Sequence, residues 1–358
     1  MNLQGQNGLL DTWRVGWRSR GLGAWVVAGA LMSAYLLLYF TEVFQPLAEA
    51  VGLRNKWNLY GLVYCLAMAA GGVRYLLIHG NSRYNRVRIG VNVGVQVVLA
   101  FLLPFYMQVF QGRDFYFTYL WPLKIDYLYP QTILNYPILI VIYSVLGSLV
   151  VFPVLALILG KRFYCSWICG CGGLANTFGD PWRHLSDRSA RAWRFERVSV
   201  YTVLVLAVLS TLIVTGNWAF GEAHPSYASF AWRVQGAYGF VVGSILAGVI
   251  GTGLYPLLGP RSWCRFFCPM AALLGLIQKL GRFRITVKED MCISCGNCSA
   301  YCEMGIDVRA YAMANQSFTR ASCVGCGMCA HVCPRGVLKL ESPSGRPLPR
   351  GGYSNVTL

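Results

Sequence analysis

Charged residues are scarce in this 358-residue chain, Asp, Glu, Lys and Arg together making 13 %, about half the share found in an ordinary soluble domain. A free-standing water-soluble globule is therefore excluded. Acidic side chains are scarcer still, 14 against 31 Lys and Arg, which leaves a formal charge of +17. Histidine is nearly missing: His79, His184, His224 and His331 fall at the ends of apolar runs or in loops, so a haem b buried between helices has no pair of ligands. There is no Cys-x-x-Cys-His for covalent haem. A glycine fingerprint after a strand and a phosphate loop are missing too, which removes support for nicotinamide or nucleotide binding. The expected cofactor list thus holds no haem and no nucleotide.

What the chain has instead is apolar length, at 56 % hydrophobic and 14 % aromatic residues. A membrane-spanning helix needs roughly 20 mostly apolar residues. Uncharged runs at 21–41, 57–73, 89–112, 127–160, 198–221 and 234–260 predict six spans, near 22–43, 57–79, 90–111, 136–159, 198–218 and 238–259. The first run is too long for the apolar core of a signal peptide, although Ala48-Glu49-Ala50 resembles a cleavage site. Arg74 lies close enough to its span end to snorkel.

Orientation follows from the basic residues beside the spans, because their excess stays on the cytoplasmic side. The segments before span one, between spans two and three and between spans four and five carry Arg14, Arg18, Arg20, Arg83, Arg86, Arg88, Lys161, Arg162, Arg183, Arg188, Arg191, Arg194 and Arg197. The opposite segments carry Arg54, Lys56, Arg113, Lys124 and Arg233. Thirteen against five places both termini in the cytoplasm. The same topology accounts for the positive charge, so nucleic acid is not an expected partner; the lipid bilayer is. After residue 260 charge returns and apolar runs shorten, which divides the chain into a six-span domain (1–260, with a cytoplasmic loop at 160–197), a membrane-surface connector (261–283), a soluble domain (284–341) and a flexible Pro, Gly and Ser-rich tail (342–358).

Fourteen cysteines are too few and too unevenly placed for a disulfide scaffold, and thirteen fall in four tight groups after residue 160. The most specific signal is doubled: Cys292-x2-Cys295-x2-Cys298-x3-Cys302, then Cys323-x2-Cys326-x2-Cys329-x3-Cys333-Pro334. This is the bacterial two-cluster ferredoxin spacing, in which the last cysteine of each run serves the cluster of the other. Cys292, Cys295, Cys298 and Cys333 are thus expected on one [4Fe-4S] cluster, and Cys323, Cys326, Cys329 and Cys302 on a second. Gly296, Gly325 and Gly327 let the backbone wrap a cluster and aim N–H groups at its sulfurs. Pro334 follows the second run but Glu303 follows the first, a difference expected to act on potential or packing. Val287 and Val337-Leu338-Lys339-Leu340 supply short strands for a small α+β ferredoxin-like domain.

Two further pairs follow spans four and six, Cys165-x3-Cys169 and Cys264-x3-Cys268-Pro269. Cysteines at i and i+4 share a helix face, so each pair is expected to present two thiolates together, and two pairs offer four sulfurs. Three readings stay open for them: a further iron–sulfur or other metal site, a thiol redox or copper-handling site, and cofactor-free helix packing. Cys171 extends the first pair and is a substitute ligand. Cys65, alone in span two, reads as a small core residue.

The Cys-x3-Cys pairs after two spans, followed by Arg282-Phe283-Arg284-Ile285 and a two-cluster ferredoxin, resemble the membrane polyferredoxin family that includes NapH, YccM and the C-terminal part of NosR, with CcoG more distant. In that family both pairs usually read Cys-x3-Cys-Pro; here Cys169 is followed by Gly170 and Cys171, a departure that bears on the first pair's role. The short outer loops leave no room for NosR's flavin-binding domain. The resemblance implies electron transfer at a bacterial inner membrane, connected to the quinone pool or to a partner reductase subunit, as an electron-transfer component such as a quinol dehydrogenase subunit. Two other classes remain: a copper reductase at Cys165, Cys169, Cys264 and Cys268, as the CcoG likeness suggests, and a redox-sensing regulatory membrane protein. For a quinone slot the segment 104–136, rich in Phe and Tyr around Asp114, Lys124 and Asp126, has the materials, but an interfacial aromatic belt explains them as well. Glu42, Glu222 and His224 are candidate proton acceptors on that side.

Overall fold

The computed structural model describes residues 21–80, 82–112, 115–221 and 223–341. The expected flexible tail at 342–358, the basic residues Arg14, Arg18 and Arg20, and Arg113, Asp114 and Glu222 lie outside the described residues.

Six helices among the described residues are long and apolar enough to cross a membrane: Gly21–Phe40, Lys56–His79, Arg83–Phe110, Ile138–Leu159, Ala190–Phe220 and Pro225–Gly253. Their number and order match the apolar runs, but three of the spans differ in extent. The third begins at Arg83 and the fifth at Ala190 because a helix satisfies its own backbone beyond the apolar stretch; at the fifth, the Ser189 hydroxyl accepts from the Ala192 amide at 3.2 Å and caps the extension. The sixth is shifted toward the N-terminus. Pro225 in its first turn starts it early, and past Gly253 the chain folds into the one-turn helix Tyr255–Leu258, packed on the first span.

Spans three, four and six contain wide-turn stretches, Gln96–Leu102, Gly147–Val151 and Gly239–Ile250. In the first two, Pro104 and Pro153 follow by two residues. A proline ring displaces the carbonyl four residues back, and one wider turn absorbs that displacement. The stretch in span six has three glycines and no proline.

Of the aromatic segment 104–136, Tyr106 and Phe110 at the end of span three are exposed as in an interfacial belt, but the part from Phe115 onward is largely buried. Phe115, Leu120, Ile125, Tyr127 and Tyr129 are buried, with Phe115 stacked on Tyr127 at 4.4 Å between ring centroids. The Trp121 indole donates to Thr211 Oγ1 at 2.9 Å, and the Tyr164 hydroxyl, five residues past span four, donates to the Thr118 carbonyl at 2.6 Å. The segment therefore re-enters the bundle, where surrounding protein supplies the hydrogen bonds that lipid cannot. On the same side Lys56 pairs with Glu42 at 3.0 Å, and Asp126 accepts from Gln235. Arg74 is half exposed and reaches Asp180 at 3.4 Å, as a snorkelling side chain does.

The soluble part contains little sheet: β1 (Arg284–Val287) pairs antiparallel with β2 (Leu338–Glu341), Arg284 opposite Glu341. Short helices Asn297–Ala300, Val308–Met313 and Met328–His331 complete it. It sits against the ends of spans two to six that carry loops 160–189 and 254–283. The Ser166 hydroxyl donates to the Val324 carbonyl at 2.7 Å, the Tyr84 hydroxyl to that of Gly325 at 2.8 Å, and Gln278 Nε2 to that of Arg320 at 2.7 Å. His79 and His331, separate in sequence, meet ring to ring at 5.7 Å.

Candidate metal centre

The two four-cysteine runs adopt one backbone twice. Ser294 and Gly325 have φ of 59° and 58°, and Gly296 and Gly327 have φ of 83° and 81°. Each run thus turns through two left-handed residues and enters a one-turn helix, with Cys298 and Cys329 at its second position. The repeat extends to the fourth cysteines: the Ile306 amide donates to Cys302 Sγ and the Val337 amide to Cys333 Sγ, both at 3.4 Å. Amides aimed at sulfur favour its thiolate form. The glycines at 296, 325 and 327 sit where the spacing asks for them; Ser294 does the same task without being glycine, and no composition signal marks it.

Cys333 closes the first run. One cleft is lined by Cys292, Cys295, Cys298 and Cys333, with Gly296 and Pro334 at its walls. Cys302 lies instead with the second run, within electrostatic range of Cys323, Cys326 and Cys329. Each run's last cysteine therefore stands beside the first three of the other run. Among the described residues, no three donors converge as the ligands of a single ion do. In a cubane each thiolate binds its own iron, so sulfurs set around a cleft, with amides aimed at them, fit that group better than one tetrahedral ion. Burial pushes the Cys298 and Cys323 thiols up to about 12, so metal ligation there must displace protons.

The Cys-x3-Cys pairs are not on one helix face. Arg162–Cys165 is a single turn, the chain then opens, and Cys169 caps the next helix, Gly170–Asn176. Ser262–Phe266 and Cys268, which caps Pro269–Leu280, repeat this arrangement. The amides of Ile168 and Cys169 both donate to the Tyr164 carbonyl, and those of Phe267 and Cys268 both to that of Trp263. The loop between the turns, residues 166–169 in the first pair and 267–268 in the second, breaks the i to i+4 relation, and Pro269, which lacks an amide, fixes the start of the second pair's next helix. All four cysteines are nevertheless buried in one core. Arg261 ties the pairs, donating to the Cys165 carbonyl at 3.2 Å and to Cys264 Sγ at 3.7 Å. Gly172 packs so closely that a Cβ there would lie 2.0 Å from the Cys165 carbonyl oxygen. Burial pushes the Cys165 thiol up to about 12 and raises those of Cys264 and Cys268. Cys169 is lowered to about 7, foremost because the Cys171 thiol donates to it. Cys171 thus stands beside the group as a hydrogen-bond donor.

Buried cations surround these sulfurs, and here topology does not exhaust the meaning of the positive charge. Arg88, Lys161, Arg183, Arg188 and Arg261 are all nearly inaccessible. Glu303, at 1 % exposure, pairs with Arg183 and with Arg261, each at 3.0 Å, and the two guanidiniums hold its carboxyl down at about 2 despite burial. Arg183 also reaches Cys326 Sγ at 4.0 Å. One buried chain of charges therefore runs from Cys326 through Arg183, Glu303 and Arg261 to Cys264. Sequence reasoning flagged Glu303 only as a missing proline and counted Arg183 as an orientation signal. The one available hint was proximity: Lys161 and Arg261 stand four and three residues before a cysteine.

The 4Fe-4S dicluster domain family matches residues 285–340, and the 4Fe-4S binding domain family matches residues 141–188 and 241–288, each of the latter holding one Cys-x3-Cys pair. These domains define the class, a multi-span iron–sulfur protein. The chain is 27 % identical over 165 residues to the putative electron transport protein YccM of Escherichia coli K12, covering 45 % of this chain and 46 % of YccM. It is 27 % identical over 175 residues to the ferredoxin-type protein NapH of the same organism, covering 48 % and 58 %. The methylamine utilization ferredoxin-type protein MauN of Paracoccus denitrificans is 27 % identical over 157 residues, 41 % of this chain and 50 % of MauN. The chain spans about half the length of these curated relatives. No solved structure matches. With its cysteine framework, these matches support a likeness to the NapH/YccM-like polyferredoxins.

Proposed function

We propose that this protein relays single electrons between a cytoplasmic or membrane donor and either the quinone pool or a partner reductase subunit. The observation that carries this reading is the continuity of the cysteine groups: the solvent-side cleft of Cys292, Cys295, Cys298 and Cys333, then Cys302 with Cys323, Cys326 and Cys329, then the four buried cysteines at the span ends. Two [4Fe-4S] clusters, when bound to the first two groups, supply one-electron chemistry. Cys165, Cys169, Cys264 and Cys268 are proposed to hold a further metal or iron–sulfur centre. The remaining chemistry belongs to the chain. Amides of Ile306 and Val337 stabilise sulfur charge, Arg183 and Arg261 place positive charge beside Cys326 and Cys264, and Lys161 does so beside Cys165, Cys264 and Cys323. The excess of Lys and Arg on the ferredoxin side supports a cytoplasmic position for that domain in an inner membrane.

Iron and acid-labile sulfide per chain, with EPR of the dithionite-reduced protein, test this on anaerobically purified wild type and on the Cys165/Cys169/Cys264/Cys268→Ser variant. More than about eight iron in wild type, falling to about eight in the variant, is expected, since two cubanes need eight. About eight in both confines the redox apparatus to the ferredoxin domain; fewer than eight in wild type overturns the two-cluster reading.

A further inference from the structure

A cavity of about 320 Å³ opens where the ferredoxin-side end of the fifth span meets the helix Pro269–Leu280 and the loop 319–322, a volume within the range of small-ligand sites. Its lining is strongly basic: Lys161, Arg197, Arg265, Lys279 and Arg320 against one carboxylate, Glu196. Glu196 is already taken by Arg265 at 2.7 Å. Lys161, Arg197, Lys279 and Arg320 make no ion pair among the described residues.

Three of these cations stand at the mouth. Arg197 and Arg320 both lie over the Trp193 ring, 5.1 and 5.2 Å from its centroid. Lys279 is beside them, its ammonium disfavoured first by burial and then by the two guanidiniums. Lys161 forms the floor at 1 % exposure, its ammonium donating to the Ala271 carbonyl at 3.4 Å. Like charges gathered in a concave site without counter-charge are held at a cost that an anion removes.

The rim says what kind of anion. Leu276 lines the cavity and is 41 % exposed; Val198 and Leu280, next in the chain to Arg197 and Lys279, are 68 % and 63 % exposed. Val198 on the fifth span and Leu276 and Leu280 on the neighbouring helix Pro269–Leu280 give that end of the bundle an exposed aliphatic face suited to hydrocarbon, so the ligand meets cations on one side and apolar surface on the other. Basic pockets between helices at this depth suit phospholipid head groups.

We propose that this cavity binds the phosphate head group of an anionic phospholipid from the leaflet on the ferredoxin side, with Arg197, Lys279 and Arg320 on the phosphate and Leu276 against the glycerol and first methylenes. Because the lining comes from both the spans and the ferredoxin loop 319–322, a bound lipid clamps the soluble domain onto the bundle.

The test uses the full-length protein, delipidated in detergent and titrated with a fluorescent phosphatidylglycerol, then with phosphatidylcholine and with inorganic phosphate as separate probes. Iron content and a monodisperse profile check that each variant is folded. The expected result is phosphatidylglycerol binding that weakens roughly a hundredfold in R197Q/K279Q/R320Q, about fivefold for each cation removed, with phosphatidylcholine binding weakly to both proteins. R83Q/R86Q, which removes exposed cations outside the pocket, is expected to keep wild-type affinity. Equal loss in the two variants, or no preference for phosphatidylglycerol in wild type, overturns the proposal. So does full displacement of the lipid by inorganic phosphate, which assigns the cavity to a soluble anion. Should the triple variant lose iron, K279Q alone, on an exposed residue, decides by whether its affinity falls about fivefold or stays unchanged.

Discussion

The two cysteine runs share a backbone and differ in what surrounds them. In the first, Cys295, Ile293 and Asn297 are exposed, and the left-handed residue is Ser294, whose hydroxyl meets Met313 Sδ at 3.1 Å. In the second, Val324, Gly325, Gly327 and Met328 are buried against the spans. A Cβ on Gly325 would lie 2.7 Å from Arg162 Cβ, and one on Gly327 would lie 2.9 Å from the Tyr84 ring. A left-handed residue that faces water can be serine at modest strain, but one pressed against another chain segment must be glycine. Environment, more than loop geometry, therefore separates the solvent-side cysteine run from the membrane-side one.

The partition of ligands carries the largest expected effect. Cys333→Ser and Cys302→Ser should each remove one centre, about four iron, but different ones, Cys333 emptying the solvent-side run and Cys302 the membrane-side run. Iron analysis with EPR of the reduced variants separates them; loss of the same signal in both would mean that the crossed assignment is wrong. Next is Glu303, which occupies the place that Pro334 has in the second run. Glu303→Ala leaves Arg183 and Arg261 buried without their shared carboxylate and should cost about 3–5 kcal/mol. Thermal bleaching of the iron–sulfur absorbance reports the loss, while Glu289→Ala on the exposed surface should change it by under about 0.5 kcal/mol. Exchanging the paired left-handed residues sharpens the contrast further. Gly325→Ser should destabilise by about 2–4 kcal/mol, combining left-handed strain with overpacking on Arg162. Ser294→Gly should stay within about 1 kcal/mol, since relief of strain is offset by greater freedom of the unfolded chain. Equal responses in the same bleaching assay would show that the two runs have equivalent surroundings.

Much of this architecture is legible locally because its determinants are local. Six apolar runs are long enough to demand helices, since hydrocarbon leaves no other partner for their amides. The repeated backbone of the two runs is legible from the spacing because cysteines separated by two residues, with glycines between them, already confine a loop. Reading the Cys-x3-Cys pairs as helix faces fails for the opposite reason: spacing alone cannot show that the chain opens between Cys165 and Cys169 and that each second cysteine begins a new helix. The aromatic segment misleads similarly, because Phe115 and Tyr127 have the composition of a belt and the burial of a core.

By itself the sequence determined the six spans, the eight-cysteine framework and the side on which positive charge gathers, all properties of residues near one another in the chain. Only the tertiary structure decided that Arg183, Glu303 and Arg261, from three separate segments, form one buried charge chain between two cysteine groups, and that Arg197, Lys279 and Arg320 face a shared cavity. Coulomb interactions depend on distance and burial, and neither is written in the order of residues along the chain.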